Sequence, residues 1–132
     1  MKLLLVVAVA LIDADSRVLI AQRPEGKQLA GLWEFPGGKR EPAETFEQCL
    51  LRELREELGV EVSVGELFEE VVHAYPEKAV HLKFFVCRLE SGEPAALGCA
   101  ALKWVNKLEL AGFDFPAADA RLLDKLRAYN FP

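Results

Sequence analysis

Between Thr45 and Gly59 the chain spells one helix with both ends specified. Thr45 and Gln48 have capping-box spacing, in which each side chain satisfies the other residue's backbone N–H. Phe46, Cys49, Leu50, Leu54 and Leu58 recur at steps that gather apolar side chains on one helical face. Gly59 supplies the left-handed stop. The prediction is a helix over residues 45–58 that must lay its stripe on an apolar surface. What that surface is can be read from the segments around it.

Leu3 to Ile12 is an apolar run that flows into the turn Asp13-Ala14-Asp15-Ser16 and then into Arg17-Val18-Leu19-Ile20. With Met1-Lys2 ahead of it, the run resembles a short signal peptide. The turn and the second run read better as a β-hairpin whose first strand is buried on both faces. Strands are expected over 3–12, 17–22, 60–73 and 79–90, and at Leu102 to Val105. The two long ones are separated by a turn at Tyr75-Pro76-Glu77-Lys78. Trp33-Glu34-Phe35 is a short extended piece halted by a sharp turn at Pro36-Gly37-Gly38. A second helix is expected from Ala117 to Tyr129, entered through Pro116, with Ala118, Leu122, Leu123 and Leu126 facing the core. With no linker, repeat or low-complexity tract, residues 1–132 form one domain. Strands interspersed with two helices imply an α/β sandwich with a mixed sheet between the helices.

A net charge of −5 disfavours a nucleic-acid polymer, which needs a basic face to displace counterions. A single nucleotide stays open, because metal ions can supply the missing positive charge. No apolar segment reaches the roughly 18 residues of a membrane span. Cys49, Cys87 and Cys99 lack metal-ligand spacing and read as unpaired thiols of a cytoplasmic protein. The histidines His73 and His81 carry no assigned role. A monomer or a homodimer fits equally well.

On the first helix Glu53, Glu56 and Glu57 are spaced i, i+3, i+4 and share one face. Packed together they repel, by a few tenths of a kcal/mol per exposed pair, unless a hard cation such as Mg²⁺ or Mn²⁺ takes their oxygens. The bland alternative is a solvated acidic face. The wider spacing tips the balance: Gly38, five residues, Glu44, seven residues, Arg52-Glu53-Leu54, one residue, Glu56-Glu57, one residue, Gly59-Val60. Every defined position of the Nudix box is met, so the chain resembles the Nudix superfamily. The phrase Gly31-Leu32-Trp33-Glu34-Phe35-Pro36-Gly37-Gly38-Lys39 resembles its MutT-like branch, as does Phe115-Pro116-Ala117-Ala118-Asp119.

That resemblance implies a Nudix α/β/α sandwich with a mixed sheet and a loop–helix–loop catalytic motif. It implies Mg²⁺-dependent hydrolysis of a small nucleotide, a nucleoside triphosphate cut to monophosphate and pyrophosphate. Oxidised dGTP, in nucleotide-pool sanitation and DNA repair, is one candidate substrate. A pyrimidine triphosphate such as CTP or dCTP, another diphosphate-linked metabolite, or a weakly catalytic nucleotide-binding module are the alternatives. By the same resemblance Glu56 and Glu57 are the principal metal ligands, Glu53 is a ligand and the candidate base, and the Gly37 carbonyl is a further ligand. Arg52 and Glu44 hold the loop against the helix from behind those ligands. Glu34, Phe35, Pro36 and Gly37 are expected beside the substrate. Arg23 is either a phosphate contact, suited by its fork geometry, or a strand-end surface residue. Asp119 is either the acceptor that reads the base or a helix-start carboxylate favouring the macrodipole. Lys78 is expected near the same pocket, and Phe35 is equally readable as core.

Two departures from the branch stand out. Glu41-Pro42-Ala43-Glu44 has Ala where Gly is usual before the box glutamate. The loop Ala95-Ala96-Leu97-Gly98-Cys99-Ala100-Ala101 lacks the extra acid of MutT-like relatives, and that acid aligns with Gly98. Turnover is therefore expected to be slower than in relatives that carry it.

Overall fold

The computed structural model describes residues 2–74 and 76–131. Tyr75 of the expected turn and the side chain of Ala118 lie outside what is described. In chain order the elements are β1 (Lys2–Ile12), β2 (Val18–Gln22), β3 (Trp33–Glu34), β4 (Gly37–Lys39) and α1 (Phe46–Leu58). They continue with β5 (Glu61–Ala74), β6 (Lys78–Ser91), β7 (Ala101–Val105) and α2 (Ala120–Ala128), the last preceded by 3₁₀ turns at Glu109–Gly112 and Ala117–Asp119.

The first helix is built as its sequence dictates. The Thr45 hydroxyl accepts from the Gln48 N–H at 3.1 Å, and the Gln48 side chain accepts from the Thr45 N–H at 2.8 Å. Gly59 closes the helix at φ 70°, a conformation costly to any residue with a Cβ. Cys49, Leu50, Leu54 and Leu58 are buried, each leucine contributing about 1.5–3 kcal/mol by leaving water.

The strands form one mixed sheet in the order β3-β2-β1-β6-β5, with β4 added to β1 and β7 added to β2. β1 and β6 run parallel while the other pairs are antiparallel. Alternation along β1 divides the core. Val7, Val9 and Leu11 face α1 together with Phe85 and Cys87. Ala10 and Ile12 face the opposite side, with Phe35, Phe84 and Leu126 of α2. The expected burial of β1 on both faces holds from Val9 to Ile12, whereas Lys2 and Leu3 are exposed.

Two local expectations are corrected. Pro36-Gly37-Gly38 is not a sharp turn. The chain bends at Pro36, and Gly37–Lys39 then runs as β4, paired antiparallel with Val6 to Ala8 of β1. A Cβ at Gly37 would lie 2.0 Å from the Val7 carbonyl oxygen, so glycine serves close strand approach here rather than chain reversal. The second helix does not begin at Ala117. The Asp119 N–H bonds back to Pro116 O at 2.9 Å, a 3₁₀ closure that delays α2 to Ala120. Among the described residues no helix is long and apolar enough to cross a membrane.

Candidate active site

Arg52 organises the acidic face of α1. Its Nε and Nη2 make a two-pronged contact with Glu44 at 3.0 and 2.6 Å, and Nη2 also reaches the Lys39 carbonyl at 3.1 Å. Its Nη1 donates to Glu53 at 3.0 Å and to Glu56 at 3.3 Å. One guanidinium thus ties the loop after β4 to the helix and draws two carboxylates together, a task suited to its planar fork. The Arg52 hydrogen bond, foremost, holds the Glu44 carboxyl down to about 2, helped by the Glu41 N–H. Glu53 is pushed the other way. Burial raises its pKa, Arg52 opposes that, and the charges of Glu57 and Glu56 add to the rise.

Two glycines press on this face. A Cβ on Gly38 would come within 2.2 Å of the Glu53 carboxyl carbon, and one on Gly98 within 1.9 Å of a Glu57 oxygen. Gly98 belongs to the loop after β6, which covers the end of α1 by donating from Ala95 and Leu97 to the Leu58 and Glu57 carbonyls at 3.0 and 3.2 Å. The alignment of Gly98 with the missing acid therefore has a spatial counterpart, since the position abuts Glu57. The other departure is harmless. Among the described residues the non-glycine positions with positive φ are Ser16 and Leu29, so Ala43 needs no glycine.

The chemistry of the donor set fits a divalent cation. Glu53, Glu56 and Glu57 offer hard oxygen ligands, and Gly38 and Gly98 make room for the Glu53 and Glu57 carboxyl groups, which occupy the space a side chain there would need. The carboxylates are not gathered into a ready cage: among the described residues, no group of three acids, histidines or cysteines is set to hold an ion as it stands. Arg52 donates to Glu53 and Glu56 as well as to Glu44, so one positive charge is shared among three carboxylates.

Beside this face lies a cleft of about 370 Å³. Gly37, Gly38 and Lys39 line it together with Arg23, Glu34, Phe35 and Asp119, while Leu82, Phe84 and Leu122 supply apolar wall. Glu34 accepts from Arg23 at 3.0 Å, and the Arg23 Nε donates to the Gln28 carbonyl at 2.8 Å. Asp119 makes no capping hydrogen bond to α2. Burial, then the charge of Glu34, pushes its carboxyl up. Phe35 belongs to the core and to the cleft wall at once. It is 8% exposed in the core, stacked 5.3 Å from Phe115, and also on the cleft. Pro36 is buried and is not on the cleft's lining. Lys78 is not on the cleft's own lining; it lines an adjoining hollow with Gln28, Leu29, Pro76, Glu77 and Val80, and Leu29 is common to both. The walls Leu82, Phe84 and Leu122 were missed in the sequence. The even-numbered alternation of β6 marks the first two as sharing a face, but which face opens on a cleft is not a local property.

A family model described as the NUDIX domain matches residues 7–125. The chain belongs to the Nudix family. Over 128 residues it is 41% identical to the CTP pyrophosphohydrolase of Escherichia coli (strain K12), covering 97% of this chain and 94% of that protein. It is 35% identical over 132 residues to the 8-oxo-dGTP diphosphatase of Haemophilus influenzae, covering 98% and 97% of the two. A MutT structure from work on Aliivibrio salmonicida and Vibrio cholerae superposes with a TM-score of 0.82 at 28% identity, covering 96% of this chain and 98% of that one. The protein is a MutT-like Nudix hydrolase, a pyrophosphohydrolase of small nucleotides, and Nudix enzymes of this kind use divalent metal ions.

Proposed function

We propose that this Nudix enzyme cuts a nucleoside triphosphate to the monophosphate and pyrophosphate with Mg²⁺, and that 8-oxo-dGTP is the first substrate to test. One observation carries the reading. A single cleft joins Asp119, a half-buried carboxylate unspent on capping, to Gly38, which touches the Glu53 carboxylate. A base held at one end places its phosphates toward the acidic face of α1.

In this reading Glu56 and Glu57, with Glu53 and the Gly37 carbonyl, hold the cation. A bound divalent ion neutralises phosphate charge and lowers the pKa of a coordinated water. The residues do the rest. Burial raises the Glu53 carboxyl against the pull of Arg52, the direction that makes a carboxylate a better proton acceptor. Arg52 and Glu44 fix its position. Arg23 is held on the cleft wall by Glu34 and Gln28, ready to meet a phosphate. Phe35, Leu82 and Phe84 exclude water from the base, and Asp119 accepts its N–H groups. The cytoplasm is the proposed location, in keeping with three unpaired cysteines.

A second reading, CTP or dCTP, is favoured by the same Asp119. A carboxylate accepts from a cytosine amino group as readily as from a purine N–H, and the 41% identical relative is a CTP pyrophosphohydrolase. Pyrophosphate release with Mg²⁺ from 8-oxo-dGTP, dGTP, CTP and dCTP separates the two, and no release from any of them would point to a binding module. Glu57→Gln should abolish turnover while leaving the thermal transition in place; retained turnover would remove Glu57 from the metal site.

A further inference from the structure

Helix α2 starts beside Asp119 and carries Leu122, both on the cleft. It is only 9 residues long, too short to be held by helical propensity alone. Leu126 anchors it in the core, while Arg121, Asp124 and Lys125 are exposed. Leu122 and Leu123 pack on the same core, and an irregularity in β5 adds a polar grip on the helix's outer side.

The β5–β6 register slips between Leu67, opposite Phe85, and Glu69, opposite Phe84. Phe68 is the extra residue of a β-bulge, which takes its backbone off the ladder and re-aims its neighbours. The Phe68 carbonyl accepts from Lys125 Nζ at 2.6 Å. The same ammonium lies 4.7 Å from the centre of the Phe68 ring and 3.8 Å from the Glu69 carboxylate. Arg121, one turn earlier on the same helical face, stands 3.7 Å from the same Glu69 oxygen. That oxygen is buried and accepts no hydrogen bond among the described residues. A buried charge in that condition is tolerated only beside opposite charge, so the two cations of α2 answer the bulge as much as the bulge answers them.

Asp119 and Leu122 look into the cleft while Arg121 and Lys125 reach for β5. Because a helix is stiff, the grip at Lys125 sets the rotation of Leu122, about one turn away, and of the helix start that follows Asp119. We infer that the bulged pair Phe68–Glu69, by gripping Lys125 and Arg121, positions α2 and thereby sets base selectivity. Lys125 and Glu69 are positioning residues, remote from the reacting atoms. The inference rests on the proposed reading of Asp119 as a base contact, although Leu122 lines the cleft independently.

The experiment compares wild type with Lys125→Met, Lys125→Arg, Glu69→Gln, Asp119→Ala and the double variant of Lys125→Met with Asp119→Ala. Steady-state kcat and KM are measured for 8-oxo-dGTP, dGTP, CTP and dCTP, and backbone amide hydrogen exchange is followed in α2, α1 and β1. Lys125→Met should lower the kcat/KM ratio between the best and worst nucleotide about fivefold, the size of one ordinary net hydrogen bond. The change should fall on KM, with kcat on the best nucleotide held within about twofold. Exchange should quicken in α2 but not in α1 or β1. Glu69→Gln, which keeps its shape, should act in the same direction, and Lys125→Arg should restore the ratio. With Asp119→Ala in place, Lys125→Met should have no further effect on the ratio. An unchanged ratio in both Lys125→Met and Glu69→Gln overturns the inference, and so does a uniform loss on all four nucleotides. If Asp119→Ala leaves the ratio intact while Lys125→Met lowers it, the Asp119 reading fails and the grip stands, acting through Leu122.

Discussion

Gly38→Ala tests the geometry of the acidic face most directly. The added Cβ would lie 2.2 Å from the Glu53 carboxyl carbon and 2.4 and 2.5 Å from its two oxygens, where ordinary contact begins at 3.4 Å. The obstacle is the far end of a side chain, so the fold can absorb the methyl group if the carboxylate withdraws by about 1 Å. Withdrawal is constrained, because the Glu53 side chain is 13% exposed and Arg52 holds one oxygen at 3.0 Å. A base or ligand displaced by that much loses about a hundredfold in rate, equivalent to about 2.7 kcal/mol of transition-state stabilisation. The fold should lose far less, about 1 kcal/mol. The assay is pyrophosphate release at saturating nucleotide and Mg²⁺, paired with thermal melting followed by circular dichroism. Gly37→Ala is the contrast. There the Cβ meets the Val7 carbonyl oxygen at 2.0 Å and Ala8 Cα at 2.8 Å, both backbone, and β4 has to leave β1. The expected pair of results is a folded, nearly inactive Gly38→Ala and an unstable Gly37→Ala. A kcat for Gly38→Ala within about threefold of wild type would show that Glu53 does not act from this position. Unfolding of both variants alike would refute the claim that a side chain absorbs the first clash.

Glu44 is held down to about 2 from an ordinary 4.5, chiefly by Arg52. A lowered carboxylate stabilises the fold above its unfolded value and loses that contribution as pH falls through the folded one. Wild-type urea midpoints should therefore decline between pH 4.5 and about 2, and Glu44→Gln should flatten that decline; equal slopes would contradict the assignment. Gly98→Glu places a new carboxylate where Glu57 must rotate to admit it. Without metal the like charges should lower stability by a few tenths of a kcal/mol, while the Mg²⁺ concentration giving half-maximal rate should drop about threefold; a metal titration indistinguishable from wild type would exclude a ligand role for this position. Burial pushes the Cys49 and Cys87 thiols up to about 12 and about 11. Both should resist a thiol reagent in the native protein and react only on unfolding, and rapid native labelling of either would show that this part of the core opens.

Much of this was legible because it is local. Helix α1 emerged with its capping box and left-handed stop because each depends on residues within one turn of it. The carboxylate face followed from helical periodicity alone, and the Nudix box from fixed offsets along the chain. Pro36-Gly37-Gly38 was misread as a turn because glycine has two uses. Only the pairing with β1 shows that the missing Cβ serves close approach. Lys78 was expected near the cleft by its position in a turn; it lines the hollow beside it, which shares Leu29 with the cleft. Sequence position fixes reach along the chain and not direction across a sheet.

The sequence alone therefore determined the helix, its acidic face and the reaction class, since these rest on spacing along the backbone. Tertiary structure decided what stands around that face. It brought Arg52 onto Glu44, Glu53 and Glu56 at once, set Gly98 against Glu57, and joined Gly38 to Asp119 through a cleft walled by Leu82 and Phe84. It also met the bulge at Phe68 with Lys125, 57 residues further along. These contacts link segments distant in sequence, and they exist only once sheet register and helix packing have fixed which side chains share a space.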